Sequence, residues 1–202
     1  MAIGVLLAED MELLRGALGR LLRLEDDITV VAELGRGDEI VPVAMETKPD
    51  VALIDIDLPG LDGISAAAEL HRSLPQCRNL IVTSLGRPGN VRRALVAHAS
   101  GFLLKDTPPD QLVTAIRKIA AGERVLDAEL AVTALEGRTN PLTRREAEVL
   151  SLAAEGAPAQ EIAGRLHLEL STVRNYLSSV VAKSGARNRV DAIRIALSEG
   201  WI

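Results

Sequence analysis

Aromatic side chains are nearly missing from this chain of 202 residues, which has one phenylalanine, one tyrosine and one tryptophan. The core must therefore consist of Leu, Ile, Val and Ala, and no aromatic platform exists on which single-stranded nucleic acid could stack. A lone cysteine, Cys77, excludes an internal disulfide and fits a reducing cytoplasm. No apolar run approaches the roughly 20 residues of a membrane-spanning helix. The N-terminus lacks a basic flank, so we expect no secretory signal.

Charge is distributed unevenly along the chain. Residues 1–137 contain 14 basic and 21 acidic side chains, whereas residues 138–202 contain 9 basic and 7 acidic ones. An acidic first part followed by a mildly basic second part weakly indicates nucleic-acid binding at the C-terminal end. A length of 202 residues is sufficient for two domains.

Apolar runs of strand length alternate with amphipathic helical patterns in the first 122 residues. This alternation predicts a parallel sheet covered by helices on both faces. We therefore predict an α/β fold with a five-stranded, doubly wound parallel sheet. The predicted strands are 3–8, 28–33, 51–54, 80–83 and 101–104, and the predicted helices lie near 11–24, 36–47, 62–73, 88–98 and 109–121.

Strand-like runs stop after Gly122. Residues 127–137 have the pattern of a short helix, and a polar stretch follows at 137–141. Four more helical patterns come next, near 143–155, 159–166, 171–184 and 188–199. The sequence thus predicts a sheet domain at 1–122, a linker with a short helix at 123–140, and a small all-α domain of four helices at 141–202.

Polar side chains follow four of the five predicted strands. In chain order they are Glu9 and Asp10, then Asp55, then Thr83 and Ser84, then Lys105. The carboxyl ends of parallel strands meet at one edge of the sheet, where functional groups gather. Converging carboxylates favour a divalent cation such as Mg²⁺, and a lysine ammonium suits a phosphoryl oxygen. A carboxylate nucleophile, a metal, a cation and a hydroxyl are what an aspartyl-phosphate site needs.

The motifs DIDLPGLDG (55–63) and GFLLKD (101–106), together with these strand-end residues, resemble the receiver domain of bacterial response regulators, which has a flavodoxin-like fold. The resemblance implies that Asp55 accepts a phosphoryl group from a sensor histidine kinase. The Mg²⁺ ligands that it implies are Glu9, Asp10, Asp55 and the backbone carbonyl of Asp57. The residues that it implies contact the phosphoryl group or switch with it are Thr83, Ser84, Phe102 and Lys105.

The C-terminal part carries a second set of signals. Thr143, followed three residues later by Glu146, predicts a capping box at the start of a helix. Further on, Val173 and Val180 fall on one side of a helical pattern. The polar residues on another side are Arg174, Asn175 and Ser178. A helix with such a polar face near its N-terminus can reach base edges and phosphates in a major groove.

The stretches LTRREAEVLSLAAEG, EIAGRL, STVRNYLSS and ARNRVDAI (between 142 and 193) resemble the helix-turn-helix of the LuxR/NarL class. The whole chain thus resembles NarL/FixJ-type response regulators, and TVRNYLS, ARNR and GWI are similar to the branch that regulates fatty-acid desaturases. The resemblance implies a cytoplasmic transcription regulator rather than an enzyme, which binds double-stranded DNA as a homodimer and has no membrane partner. The DNA contacts that it implies are Arg174, Asn175, Ser178, Lys183 and Arg189.

Three positions depart from the usual pattern of that family. Pro158-Ala159 stands where Ser or Thr followed by Asn or Lys is usual, which removes groups that contact phosphates. Glu169, a poor N-cap, replaces the Ser or Thr that usually opens the recognition helix. Ser184 occupies a position on the buried face where leucine is usual.

The leading hypothesis is a transcription regulator in which phosphorylation of Asp55 moves Thr83 and Phe102, promotes dimerisation and raises DNA affinity. Two alternatives stay open on the sequence. One is a receiver protein with a weakened DNA-binding domain that acts mainly through protein contacts. The other is an aspartate-nucleophile phosphatase that uses Asp55 and Asp57, although such enzymes have this pair after their first strand and here it follows the third.

Overall fold

A computed structural model of the chain describes residues 2–84, 88–126, 132 and 140–202. Two compact units make up this structure; of the described residues, the first contains 2–84, 91–126 and 132, and the second contains 88–90 and 140–202. The linker helix predicted at 127–137 lies outside the described residues, except for position 132. Among the residues described, no helix is long and apolar enough to cross a membrane.

The first unit is a parallel sheet with helices on its faces, as the alternating pattern predicted. The strands are β1 (Ile3–Ala8), β2 (Ile28–Leu34), β3 (Val51–Asp55), β4 (Arg78–Thr83), β5 (Gly101–Leu104) and β6 (Val125–Leu126). Their order in the sheet is β2-β1-β3-β4-β5-β6, and every neighbouring pair is parallel. The helices are α1 (Glu12–Leu22), α2 (Ile40–Thr47), α3 (Gly63–Ser73), α4 (Pro88–Val96) and α5 (Pro109–Ala120), with a 3-10 turn at Gly37–Glu39.

The sheet has six strands, so the prediction of five was wrong. Val125 and Leu126 pair with Gly101 and Phe102 of β5, and the Val125 amide donates to the Ser100 carbonyl at 3.0 Å. A two-residue strand is too short to show the alternation from which strands are predicted. The sheet therefore continues past Gly122, where the predicted sheet domain ended.

The core of the first unit follows the alternation of side chains along the strands. Val5, Leu53 and Leu80 face one cluster of buried residues, which α1 and α5 complete with Leu22 and Ile116. The intervening strand residues face the opposite side. There the Asn79 side-chain amide donates to a carbonyl of α3 at 2.9 Å. All five residues of β3 are buried, which places the end of this strand deep in the sheet edge.

The second unit, as far as it is described, is built from helices α6 (Arg144–Ala154), α7 (Ala159–Leu166), α8 (Leu170–Ser184) and α9 (Arg189–Glu199). The predicted capping box at the start of α6 is confirmed, because Thr143 and Glu146 exchange side-chain and backbone hydrogen bonds. The turn between α7 and α8 has three residues and begins at His167, whose φ is 53°. Val149, Val173 and similar apolar residues fill the core between the helices.

Candidate functional site

Three carboxylates meet at the carboxyl edge of the sheet. Glu9 and Asp10 follow β1 directly, and Asp55 is the last residue of the neighbouring strand β3. One side-chain oxygen of each residue lies within 4.8 Å of the others. Glu9 and Asp55 are 2% and 4% exposed, whereas Asp10 is open to solvent. The structure thus brings the three acids together at the edge where the sequence predicted them.

Lys105 links the two buried carboxylates. Its backbone amide donates to the Thr83 carbonyl at 2.8 Å, which continues the pairing of β4 with β5 past the strand ends. From that anchored position the ammonium reaches Glu9 Oε2 at 2.8 Å and Asp55 Oδ2 at 3.0 Å. The lysine therefore lies at the centre of the acidic cluster and is itself mostly buried.

Charge in this cluster is incompletely compensated. Burial raises the pKa of Asp55, and the hydrogen bonds from Lys105 and the Ile56 amide offset this rise only in part. Burial likewise raises the pKa of Glu9 against the opposing effect of Lys105. For Lys105, burial acts to lower the pKa, but the hydrogen bonds to both acids outweigh it and raise the pKa. The three neighbouring carboxylates form an all-oxygen donor set that fits a hard divalent cation such as Mg²⁺.

The loop after Asp55 needs glycine at two positions. A Cβ atom on Gly63 would collide with the carbonyl oxygen of Asp55, and Gly60 has a φ of 83°. The Gly63 amide also donates to the Ile56 carbonyl at 2.9 Å. The chain therefore turns tightly from β3 into α3, with Asp57 exposed in the loop between them.

The residues predicted to switch lie on the next two strands. Thr83 ends β4 and Phe102 lies on β5, and both are 2% exposed, while Ser84 is exposed. A small cavity of about 90 Å³ borders the Phe102 ring, lined among others by Val91 of α4 and Val125 of β6. Phe102 is thus a buried core residue with a small cavity beside it.

Helix α8 presents the polar face that the sequence predicted. Arg174, Asn175 and Ser178 are exposed along it, whereas Val173 and Val180 are buried on the opposite side. Within the part of the chain that the structure describes, no acidic side chain pairs with Arg174. The guanidinium is therefore available to an external partner.

Two other predicted DNA contacts are engaged inside the unit. Lys183 donates to Glu146 Oε2 at 2.7 Å, and Glu146 is 4% exposed. Arg189 donates to the carbonyls of Ala153 and Ala157 at 3.3 and 3.2 Å, which joins the start of α9 to the end of α6. In this structure both cations have a role in packing the helices together.

The three departures from the family pattern have clear positions. Pro158 precedes α7 without a side-chain cap, and Glu169 precedes α8 and makes no cap hydrogen bond either. Ser184 ends α8 on the buried face, at 1% exposure, where its hydroxyl donates to the Val181 carbonyl at 3.2 Å. The start of α8 therefore has no side-chain cap, and the Thr172 and Val173 amides donate to the Glu169 carbonyl.

Two residues of importance were missed on the sequence. Glu146 was predicted only as part of a capping box, yet it also binds Ser179 and Lys183 of α8. Arg15 in α1 donates to the backbone carbonyl of Glu9 at 2.6 Å. In the sequence, the one feature that could have indicated this role is the position of Arg15, one turn into the helix that follows Glu9 and Asp10.

A sheet domain with a phosphoacceptor-type acidic cluster, joined to a small helical domain, is the architecture of a response regulator. Residues 5–117 match the response regulator receiver domain, and residues 140–196 match the bacterial regulatory proteins of the luxR family. The chain therefore belongs to the NarL/FixJ-type response regulators, transcriptional regulators whose receiver domain is phosphorylated and whose LuxR-type domain binds DNA.

Full-length relatives agree with this assignment. The chain is 42% identical to the transcriptional regulatory protein DesR of Bacillus subtilis over 199 residues, covering 98% of both chains. It is 43% identical to the response regulator RamR of Streptomyces coelicolor over 201 residues, again with 98% of each chain covered. The crystal structure of ChrA, a response regulator of a heme-sensing two-component system, is similar with a TM-score of 0.59 and 32% identity, and covers 100% of this chain and 99% of that one.

These relatives favour one of the hypotheses left open on the sequence, the transcription regulator, over the phosphatase. The predicted NarL/FixJ type is confirmed, and the match to DesR supports the predicted likeness to the desaturase-regulator branch. Both curated relatives are named as regulators. A transcription regulator therefore replaces the phosphatase as the working description of this chain.

Proposed function

We propose that Asp55 is the residue of this receiver that accepts the phosphoryl group from a sensor histidine kinase. The observation that carries the proposal is the joint contact of Lys105 with Asp55 and Glu9 at 3.0 and 2.8 Å. A carboxylate oxygen of Asp55 would attack the phosphorus atom of the phosphohistidine, and the phosphorus–nitrogen bond would break as the imidazole leaves. Lys105 would exchange part of its contact with the acids for a phosphoryl oxygen, because an ammonium binds such oxygens as a point charge.

We assign the metal to the same sheet edge. Glu9, Asp10 and Asp55 would hold Mg²⁺ through their carboxylates, and Asp57 would do so through its backbone carbonyl. The proximity of the three carboxylates, within 4.8 Å, supports this set. Bound there, Mg²⁺ would neutralise charge on the phosphoryl oxygens.

The switch is proposed to run along β4 and β5. Thr83, at the end of β4, would turn toward the new phosphoryl oxygens with Ser84 beside it. Phe102 would then use the space around its ring, where a cavity of about 90 Å³ adjoins α4 and β6. Cores with two discrete packings convert a local charge event into a change of surface.

DNA recognition is assigned to a four-helix helix-turn-helix domain in which α7, the three-residue turn and α8 form the motif. The exposed face with Arg174, Asn175 and Ser178 would enter the major groove. Lys183 and Arg189 are weaker candidates for phosphate contacts than the sequence suggested, because each already binds groups within the domain.

Assembly is proposed to depend on phosphorylation. A homodimer would bring two recognition helices onto paired half-sites and raise DNA affinity through bivalency. In this account residues 1–122 with β6 form the receiver, the segment up to 140 links the domains, and residues 141–202 bind DNA. We place this non-enzymatic regulator in the cytoplasm, where kinase and DNA are both accessible.

The test compares phosphorylated and unmodified protein, with Asp55→Asn as the control. Sedimentation should show a shift toward dimer after phosphorylation, and DNA fragments selected from a genomic library should bind more tightly. Neither change should occur in Asp55→Asn. If phosphorylation leaves both the monomer–dimer distribution and the DNA affinity unchanged, the proposed switch is wrong. Repeated turnover of a generic phosphate ester would favour the phosphatase instead.

A further inference from the structure

Arg15 contacts the two acids of the β1–α1 loop through their backbones. One nitrogen of its guanidinium, Nη1, donates to the Glu9 carbonyl at 2.6 Å and lies 3.4 Å from the Asp10 carbonyl. The short bond is charge-assisted, and bonds of that kind are stronger than neutral ones. Arg15 thus binds the backbone of the loop, whereas Lys105 binds the carboxylate of Glu9.

Apart from Lys105, which binds the Glu9 carboxylate, the residue at the helix start adds no side-chain restraint to this loop. Met11 stands at the N-cap position of α1 and offers no side-chain hydrogen bond, while its amide donates to Glu9 Oε1 at 3.3 Å. Asp10 itself is exposed. Without a capping side chain, the first turn of a helix lacks a hydrogen bond that would stabilise its start. Arg15 supplies the missing restraint from inside the helix.

The surroundings of Arg15 leave room for its guanidinium. Gly35 directly follows β2, and a Cβ atom on it would lie 3.1 Å from Arg15 Nη1. Such a contact is closer than ordinary van der Waals packing, so a larger residue at this position would press against the guanidinium. The absence of a side chain at Gly35 is therefore compatible with the position of Arg15.

We propose that Arg15 is a positioning residue for the metal ligands of this receiver, because it fixes the backbone from which Glu9 and Asp10 project. The inference rests on the proposed function of that site. Groups that orient metal ligands commonly contribute 10–100-fold to metal affinity. An opposing effect exists, since the positive charge of Arg15 repels a cation. We expect orientation to dominate, because the observed contacts of the guanidinium are with the backbone carbonyls of the two ligand residues.

The experiment is a calorimetric Mg²⁺ titration of the full chain and four variants. Arg15→Met should weaken Mg²⁺ binding roughly 10-fold. Arg15→Lys keeps the charge but loses the guanidinium geometry, and should weaken binding several-fold. Arg20→Met removes an exposed arginine from the same helix and should bind like the wild type. Labelling of Arg15→Met by acetyl phosphate should approach the wild-type level once Mg²⁺ is saturating.

Arg15→Met that binds Mg²⁺ as tightly as the wild type, or more tightly, would overturn the inference. Circular dichroism in EDTA verifies that each variant is folded; if Arg15→Met is not, Arg15→Lys decides by the same criterion. Asp10→Asn tests the proposed metal site itself. If that site is wrong, the wild type and Asp10→Asn should bind Mg²⁺ equally. That result rejects the site, whereas equal binding by wild type and Arg15→Met rejects only the role of Arg15.

Discussion

Both units of this molecule contain a buried carboxylate paired with a lysine, and the two sites differ in how far the charge is compensated. At the sheet edge, Lys105 is shared between Glu9 and Asp55, and burial raises the pKa of both acids. In the helical unit, Lys183 serves Glu146 together with donors from Thr143 and Ser179. Burial acts to raise the pKa of Glu146 as well, but these hydrogen bonds outweigh it and lower the pKa to about 2.

The difference shows how the same pair of residue types serves two purposes. A carboxylate that receives enough donors stabilises the fold and stays ionised. A buried carboxylate that shares its cation with another acid destabilises the fold, and a further positive charge beside it would stabilise it. The first arrangement ties α6 to α8, and the second leaves a site open to a metal and a phosphoryl group.

The largest effect should come from removing the well-compensated charge. Glu146→Gln should lower the free energy of unfolding of the helical unit by about 2–3 kcal/mol at pH 7, because a neutral amide loses the ion pair with Lys183. Trp201, the one tryptophan of the chain, packs in the core of this unit, so its fluorescence in a denaturant titration reports the loss. Glu148→Gln is the matched control. Its pairs with Arg144 and Arg145 are exposed and screened by solvent, so this variant should unfold at nearly the wild-type denaturant concentration.

Acid should weaken the same site. Because the pKa of Glu146 is lowered from 4.5 to about 2, its contribution is complete above about pH 5 and is lost as the pH falls toward 2. The stability difference between wild type and Glu146→Gln should therefore shrink over this window. The pKa of Asp191 is also lowered to about 2, by the Arg187 amide and by the Arg194 and Arg187 side chains. The free energy of unfolding of both proteins will therefore still fall with pH in this range. A difference that is constant from pH 7 to 3 would contradict the assignment.

Substitutions of the two cations of α8, the exposed Arg174 and the internally paired Lys183, should affect DNA binding differently. Arg174→Ala should cost about 1–3 kcal/mol of affinity on a selected operator and relax its sequence preference, without changing stability. Lys183→Met should destabilise the helical unit but leave the salt dependence of DNA binding unchanged, because Lys183 already binds Glu146. The measurement is a salt series of binding isotherms. A salt slope reduced by about one in Lys183→Met would restore it as a phosphate contact.

At the sheet edge, removing a carboxylate charge should raise the free energy of unfolding, the opposite of the effect expected for Glu146→Gln. Because burial raises the pKa of Asp55, ionising this carboxylate costs more free energy in the folded receiver than in the unfolded chain. Asp55→Asn should therefore raise the free energy of unfolding of the receiver in EDTA. Far-UV circular dichroism follows this transition. Asp57→Asn, at an exposed position, is the control and should have little effect. A clear loss of stability in Asp55→Asn would show that the site is better compensated than we infer.

Local signals explain what the sequence could predict. The parallel sheet, the acids at its edge and the capping box of α6 all follow from patterns within a few residues or from strand ends that share an edge. The sixth strand was too short to show a pattern. The pairing of Lys183 with Glu146 spans 37 positions, and the bond of Arg15 to the Glu9 carbonyl depends on the fold of a loop. Such contacts are set by tertiary packing, which periodicity does not encode.

The most direct test of the acidic cluster is intact-protein mass spectrometry after reaction with acetyl phosphate. In Mg²⁺ the wild type and Asp57→Asn should each gain one phosphoryl group, and in EDTA labelling should fall sharply. Asp55→Asn should remain unlabelled under both conditions, although it retains Glu9, Asp10 and Lys105. Labelling that persists in Asp55→Asn and disappears in Asp57→Asn would contradict the assignment of Asp55 as the phosphoacceptor.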